Sequence, residues 1–189
     1  MESKGPVAVA NVPPEYRLGT KPPFVSGASV GPTKVYEHLY LGSWQNSSDI
    51  TNLKTLGITG IVNAAAEYKI LEELACKAQK RERKSPLEFD VCFLNLYNDD
   101  RFRHTFKTSL NSAISFIDTH RQRGGKVLVQ CNNGIERSAA IVLAYFMRQE
   151  KLSYERALAA LRNRGVVIHP NSWLEALLED EDEDAMSDD

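Results

Sequence analysis

Cysteine, glycine, arginine and serine stand close together in the segment Cys131, Asn132, Asn133, Gly134, Ile135, Glu136, Arg137, Ser138. Their types and spacing suit phosphoryl transfer. A thiolate is a strong nucleophile, and a cysteine pKa near 8.5 falls to ~3.5–7.5 at a helix N-terminus beside a cation. A guanidinium grips two phosphoryl oxygens at once, which an ammonium cannot do. Gly134 permits a turn that a Cβ would hinder. Ser138 offers a hydroxyl that can donate to the sulfur and help it leave when a phosphocysteine is hydrolysed. The alternative is an inert core cysteine beside an ordinary helix-start arginine.

The flanking sequence favours the chemical alternative. Lys126 to Val129 is a short apolar run of strand type, and Ser138 to Met147 (SAAIVLAYFM) is apolar almost all round. A buried strand therefore enters the loop at Cys131 and a buried helix leaves it from Arg137. In open α/β sheets, ligands bind at the carboxyl ends of strands. Loop amides and a helix N-terminus converge there on an anion.

Strand signals also begin at Val35 to Leu41, an alternation ended by Gly42, and recur at Ile58 to Ala64 and Phe89 to Leu96. The pattern predicts a short helix over Ser48 to Leu56, closed by Gly57, and a charged helix over Glu67 to Ser85. Phe106, Leu110, Ala113, Ile114 and Ile117 recur at helical spacing, which predicts an amphipathic helix over 106–122 closed by Gly124 and Gly125. Ser153 can cap the next helix, with Tyr154, Ala157, Leu158 and Leu161 on one face and Gly165 at its end. Pro170 and Asn171 open a last short helix. Strands and helices alternate, so the fold class is α/β with a largely parallel sheet.

The chain has 189 residues, enough for one globular unit over 32–178 between a flexible arm over 1–31 and an acidic disordered tail over 179–189. No apolar run reaches the ~20 residues that span a bilayer. No stretch of signal-peptide type opens the chain. Cys76, Cys92 and Cys131 are read as free thiols in a reducing compartment, cytoplasmic or nuclear. The tail holds eight acids, which leaves 23 basic against 17 acidic residues elsewhere, a formal +6 that suits an anionic substrate. The basic run Lys77, Lys80, Arg81, Arg83, Lys84 could dock an acidic partner, but reads better as a solvated face. It has no interleaved aromatics, which argues against nucleic-acid binding. His38, His104, His120 and His169 lack metal-ligand spacing. Ser187 has acidic neighbours that would suit phosphorylation, as any serine in such a tail would. Cys92 could form a protective disulfide with Cys131, or be a plain buried thiol.

CNNGIERS resembles the Cys-x-x-Gly-x-x-Arg-Ser pattern of dual-specificity protein phosphatases, and the likeness extends from about Val35 to Leu178. YLGSW is similar to that family's Tyr-Leu-Gly opening, and ITGIVNAAAE to its Ile-Thr-x-Val-x-Asn strand and pocket wall. The chain thus resembles an atypical small member without a kinase-docking domain. The resemblance implies a Cys-phosphatase fold, a mixed sheet of about five strands flanked by helices. It also implies a shallow pocket admitting phosphotyrosine and phosphoserine or phosphothreonine, with no metal or organic cofactor. The substrate is then a phosphorylated protein, with Cys131 the nucleophile and Asn132, Asn133, Gly134, Ile135, Glu136 and Arg137 the phosphate loop. The family places a general acid after the strand that FLNLYNDD ends, and the count favours Asp100 over Asp99. An Asx turn is the plainer use of that segment. Asn171 matches a position that helps hold the phosphate loop, though alone it would read as a helix cap.

Two residues depart from the family. Gln130 stands where the family has a histidine that positions and acidifies the thiol. Glu136 sits in the phosphate loop, where a carboxylate aimed at a dianion would repel it, so it is expected to face outward. These departures keep open a phosphoprotein-binding module with little turnover.

Overall fold

The structure, a computed structural model, describes residues 31–65, 89–94, 96 and 103–186. The arm up to residue 30, the helix read over Glu67 to Ser85 with its basic run, Asp99, Asp100 and Ser187 lie outside the described residues. Five strands form one sheet in the order β1-β2-β5-β3-β4, where β1 is Thr33–Tyr36, β2 Leu39–Ser43, β3 Ile58–Asn63, β4 Asp90–Phe93 and β5 Lys126–Cys131. β5 is central and runs parallel to β2 and β3. β4 extends the parallel set, and β1 closes the other edge antiparallel to β2. The sheet is therefore mixed, as the resemblance implies.

Where the sequence suggests one strand over Val35 to Leu41, the chain makes a hairpin. It turns at Glu37 and His38, where the alternation fails, and Tyr36 pairs with Leu39. The helix expected over Ser48 to Leu56 is two: α1 (Trp44–Ser48) and α2 (Ile50–Leu56). Asp49 divides them, because its side chain accepts from Asn52 N at 3.1 Å and starts a new helix. Gly57 ends α2 as expected.

Helices α3 (Arg103–Gln122), α4 (Arg137–Glu150), α5 (Tyr154–Asn163) and α6 (Ser172–Met186) follow. Leu39, Val62, Val127 and Val129 on one face of the sheet pack with Phe106, Leu110 and Ile117 of α3 and the whole first three turns of α4. Tyr40, Leu53, Ile58, Ile61 and Leu128 form the core on the opposite face, beside α2. Every residue from Arg137 to Met147 is buried, so α4 is the helix around which that core is built. Ser153 stands at the start of α5 without a side-chain cap hydrogen bond. Among the described residues, no helix is long and apolar enough to cross a membrane.

The acidic tail needs a correction. The helix expected to stop before residue 179 continues to Met186. Asp180 pairs with Arg103 of α3 at 2.6 Å, and Glu181 bridges Arg148 of α4 at 2.8 Å and Lys107 of α3 at 3.4 Å. A like-charged run that would repel itself alone is held here by basic partners from two other helices. Each exposed pair is worth only about 0–1 kcal/mol, but they act on one helix together. Part of the basic surplus is thus met within the chain.

Two histidines mark the end of the sheet opposite Cys131. His120 is buried, with Nδ1 at 3.0 Å from the Thr59 hydroxyl and Nε2 at 3.5 Å from Asp90. His38 Nε2 lies 3.0 Å from the Tyr145 hydroxyl. Burial lowers both imidazole pKa values. Arg123 adds to the effect on His120 and Arg121 to that on His38, while Asp90 and Asp118 oppose it. The folded protein therefore takes up these protons less readily than the unfolded chain. The neutral rings favour the fold above about pH 6.5, and that advantage is lost as pH falls through the depressed folded values. Thermal melting should drop between pH 7.5 and 5, and His120→Gln should shrink the drop. Equal melting temperatures at the two pH values would contradict this.

Candidate active site

β5 reaches the loop through Val127, Leu128 and Val129, all fully buried, and its last residue is Cys131 itself, 2% exposed. The neighbouring strand holds it in register, Ser43 opposite Cys131 and Gly42 opposite Gln130. The loop then turns back under α4. Gly134 takes φ 77°, and a Cβ there would lie 2.7 Å from the carbonyl carbon and oxygen of Gly42. No other residue fits that turn without moving β2.

The turn aims donors at the sulfur. Gly134 N–H donates to Cys131 Sγ at 3.3 Å, and the Ser138 hydroxyl donates to it at 3.1 Å. Ser138 is fully buried. Arg137, 4% exposed, donates from NH1 to the Leu96 carbonyl at 2.9 Å. That bond ties the arginine to the segment following β4. Two backbone bonds brace the loop from outside, Trp44 N to Asn132 O at 3.4 Å and His169 N to Ile135 O at 2.9 Å. Donors around a sulfur, a buried guanidinium and a helix N-terminus make this loop a cradle for an oxyanion.

The structure thus brings Cys131, Gly134, Arg137 and Ser138 together as the spacing predicts. Asn132 and Ile135 are half-buried and Asn133 is exposed along the same loop. Glu136 is half-buried at the N-cap of α4, without a side-chain cap bond. Asn171 caps α6, its Oδ1 accepting from Leu174 N at 3.2 Å. The backbone of His169, two residues earlier, braces the loop at Ile135. Asp99 and Asp100 fall between Leu96 and Arg103, outside the described residues.

Cys92 is not placed to protect Cys131. β3 lies between their strands, and Cys92 is level with Val129, two residues before Cys131. Two strand spacings put the backbones roughly 10 Å apart, beyond the ~7 Å a disulfide spans. Both thiols are free, and burial raises the Cys92 pKa, which makes it less reactive.

Sequence reasoning misses three parts of this site. The Leu96 carbonyl and the His169 amide are backbone groups with no side-chain signal. The third is Asn63, 1% exposed at the end of β3, whose Oδ1 accepts from Gln130 Nε2 at 2.6 Å. Its signals are a polar residue ending an apolar strand and its place in the ITGIVN likeness, neither of which names Gln130 as its partner.

Comparison with known proteins agrees with this geometry. Residues 39–183 match the family model for the catalytic domain of dual specificity phosphatases. Mouse dual specificity protein phosphatase 2 is 34% identical over 152 residues, a match covering 79% of this chain and 42% of that protein. The chain thus spans less than half the length of that relative. The crystal structure of DUSP15 superposes with a TM-score of 0.65 at 25% identity, covering 84% of this chain and 91% of that one. The human tyrosine phosphatase-like serine/threonine/tyrosine-interacting protein superposes at 0.61 and 27% identity, covering 82% and 98%. The chain belongs to the dual-specificity phosphatase catalytic-domain family.

Proposed function

We propose that this chain hydrolyses phosphomonoesters on proteins, taking phosphotyrosine and phosphoserine or phosphothreonine through a phosphocysteine. The observation that carries this is the convergence of the Gly134 amide and the Ser138 hydroxyl on Cys131 Sγ beside buried Arg137. The thiolate attacks phosphorus, an S–P bond forms and the ester P–O bond breaks. Asp100, or Asp99 in its place, gives the leaving oxygen its proton. Water, deprotonated by the same aspartate, then cleaves the S–P bond and releases phosphate. The sulfur returns as thiolate, held again by Ser138. Loop amides and Arg137 carry the charge on the phosphoryl oxygens in both steps.

A second reading is a phosphoprotein-binding module. Gln130 and Glu136 favour it, as does the likeness to a relative named phosphatase-like and interacting. A phosphopeptide panel decides between the two. Phosphate release from phosphotyrosine and phosphothreonine peptides is expected, with an acid-stable phosphoenzyme trapped on quenching. Saturable binding of the same peptides with no phosphate released would establish the module instead.

A further inference from the structure

The chain between α5 and α6 runs beside the phosphate loop and is bonded to it, His169 N donating to Ile135 O at 2.9 Å. Burial alternates along this stretch. Val166, Ile168 and Pro170 are buried, while Val167 and His169 are exposed. Such alternation belongs to extended backbone with one side on a core and the other in water. Val166 and Ile168, 3% and 1% exposed, anchor Val167 from both sides. The backbone is tied at the same two residues, by Val166 N to Leu161 O at 3.1 Å and by the Arg162 guanidinium to Ile168 O at 3.1 Å.

Val167 is therefore an aliphatic side chain on fixed backbone, yet 57% exposed. Most of its apolar surface stays in water, so it adds little to the fold. A lone exposed aliphatic is common on protein surfaces, and its place decides what it does. Val167 precedes by two residues the amide that is bonded to Ile135, a distance of roughly 7 Å along extended chain. An extended peptide advances by the same roughly 3.3 Å per residue. With its phosphate in the cradle, such a peptide brings a side chain two or three residues away to Val167.

We propose that Val167 is a specificity-determining residue that takes an aliphatic side chain of the substrate, two or three residues from the phosphorylated one. This deepens the proposed function and rests on the loop from Cys131 to Arg137 holding the phosphate. Continuity with that loop favours a phosphopeptide as the occupant, and a contact already fixed in place costs little ordering on binding. A second copy of the chain fits less well. Among the described residues, Ile50 is the other exposed large hydrophobic, and two aliphatic side chains fall far short of the roughly 1,000 Å² that a specific interface buries.

Phosphotyrosine peptides with leucine placed at one flanking position at a time, against alanine at the rest, test this within each protein. Wild type should show kcat/KM about tenfold higher for leucine than for alanine at one position two or three residues out, the scale of partly burying one aliphatic side chain. The gain should lie in KM, because the contact is the same in the ground and transition states. Val167→Ala should shrink the ratio to about twofold, and Val167→Asp should abolish it and favour lysine at that position. Ratios taken within one protein cancel any loss of folded protein or of turnover. A leucine-to-alanine ratio equal in wild type and Val167→Asp overturns the proposal, as does wild type without a preference at those positions. So does a dimer that Val167→Asp disperses while the ratio stays unchanged, which makes Val167 a contact between copies. Wild type that releases no phosphate sinks the proposed function instead. The same ratio is then read from peptide affinity by fluorescence anisotropy, where this inference stands or falls by itself.

Discussion

Replacing Cys131 by serine is expected to lower turnover by at least about 10⁴-fold while leaving phosphopeptide binding in place, a loss of the size seen when a nucleophile is removed. The substitution changes one buried atom. The Gly134 amide and the Ser138 hydroxyl would still point into the same space, but a serine hydroxyl is not ionised near neutral pH and gives them no anion to hold. The cradle of loop amides and Arg137 stays, so affinity for a phosphorylated peptide persists or rises. Three measurements check this: kcat on a phosphotyrosine peptide, peptide affinity by fluorescence anisotropy, and acid-quench trapping of the phosphoenzyme. Wild type should yield the trapped intermediate and Cys131→Ser none. Indistinguishable rates for the two proteins would leave the binding module as the better account.

What could be seen in the sequence, and what could not, follows from where each signal lives. The strand Lys126–Cys131 and the helix Arg137–Glu150 are both central and almost fully buried. Burial on every side demands unbroken apolar runs, and such runs are legible without a partner. The loop between them was legible because its glycine, arginine and serine are each required by local geometry. Glu37 and His38 carry no glycine, asparagine or proline, so the turn there had no chemical mark. The bond between Asn63 and Gln130 depends on the register of β3 against β5, and nothing in either segment alone fixes register. The acidic run failed for a related reason. Asp180 and Glu181 read as tail until Arg103, Lys107 and Arg148 are brought to them by the packing of α3 and α4.

In the proposed mechanism Arg137 has two tasks, and lysine can perform only one at a time. Its NH1 holds the Leu96 carbonyl at 2.9 Å, and the planar fork leaves the same side chain able to meet phosphoryl oxygens as a pair. An ammonium has one nitrogen. Arg137→Lys should therefore lower kcat/KM on a phosphotyrosine peptide by about 10²–10³-fold, the scale set by losing one preorganised donor to a developing charge. It should also leave the Leu96 carbonyl without its fixed donor, a cost of about 1–3 kcal/mol for a buried acceptor. For a domain of this size, that lowers the melting temperature by roughly 2–4 °C per kcal/mol. The two effects separate by substitution. Arg137→Met loses the phosphate contact and the carbonyl tie together, so it should bind inorganic phosphate more weakly than Arg137→Lys at a similar melting temperature. If Arg137→Lys kept kcat/KM within about threefold of wild type, the fork would not be gripping the phosphoryl group. The buried guanidinium would then be a structural tie between α4 and the segment after β4, and the cradle would need another cation.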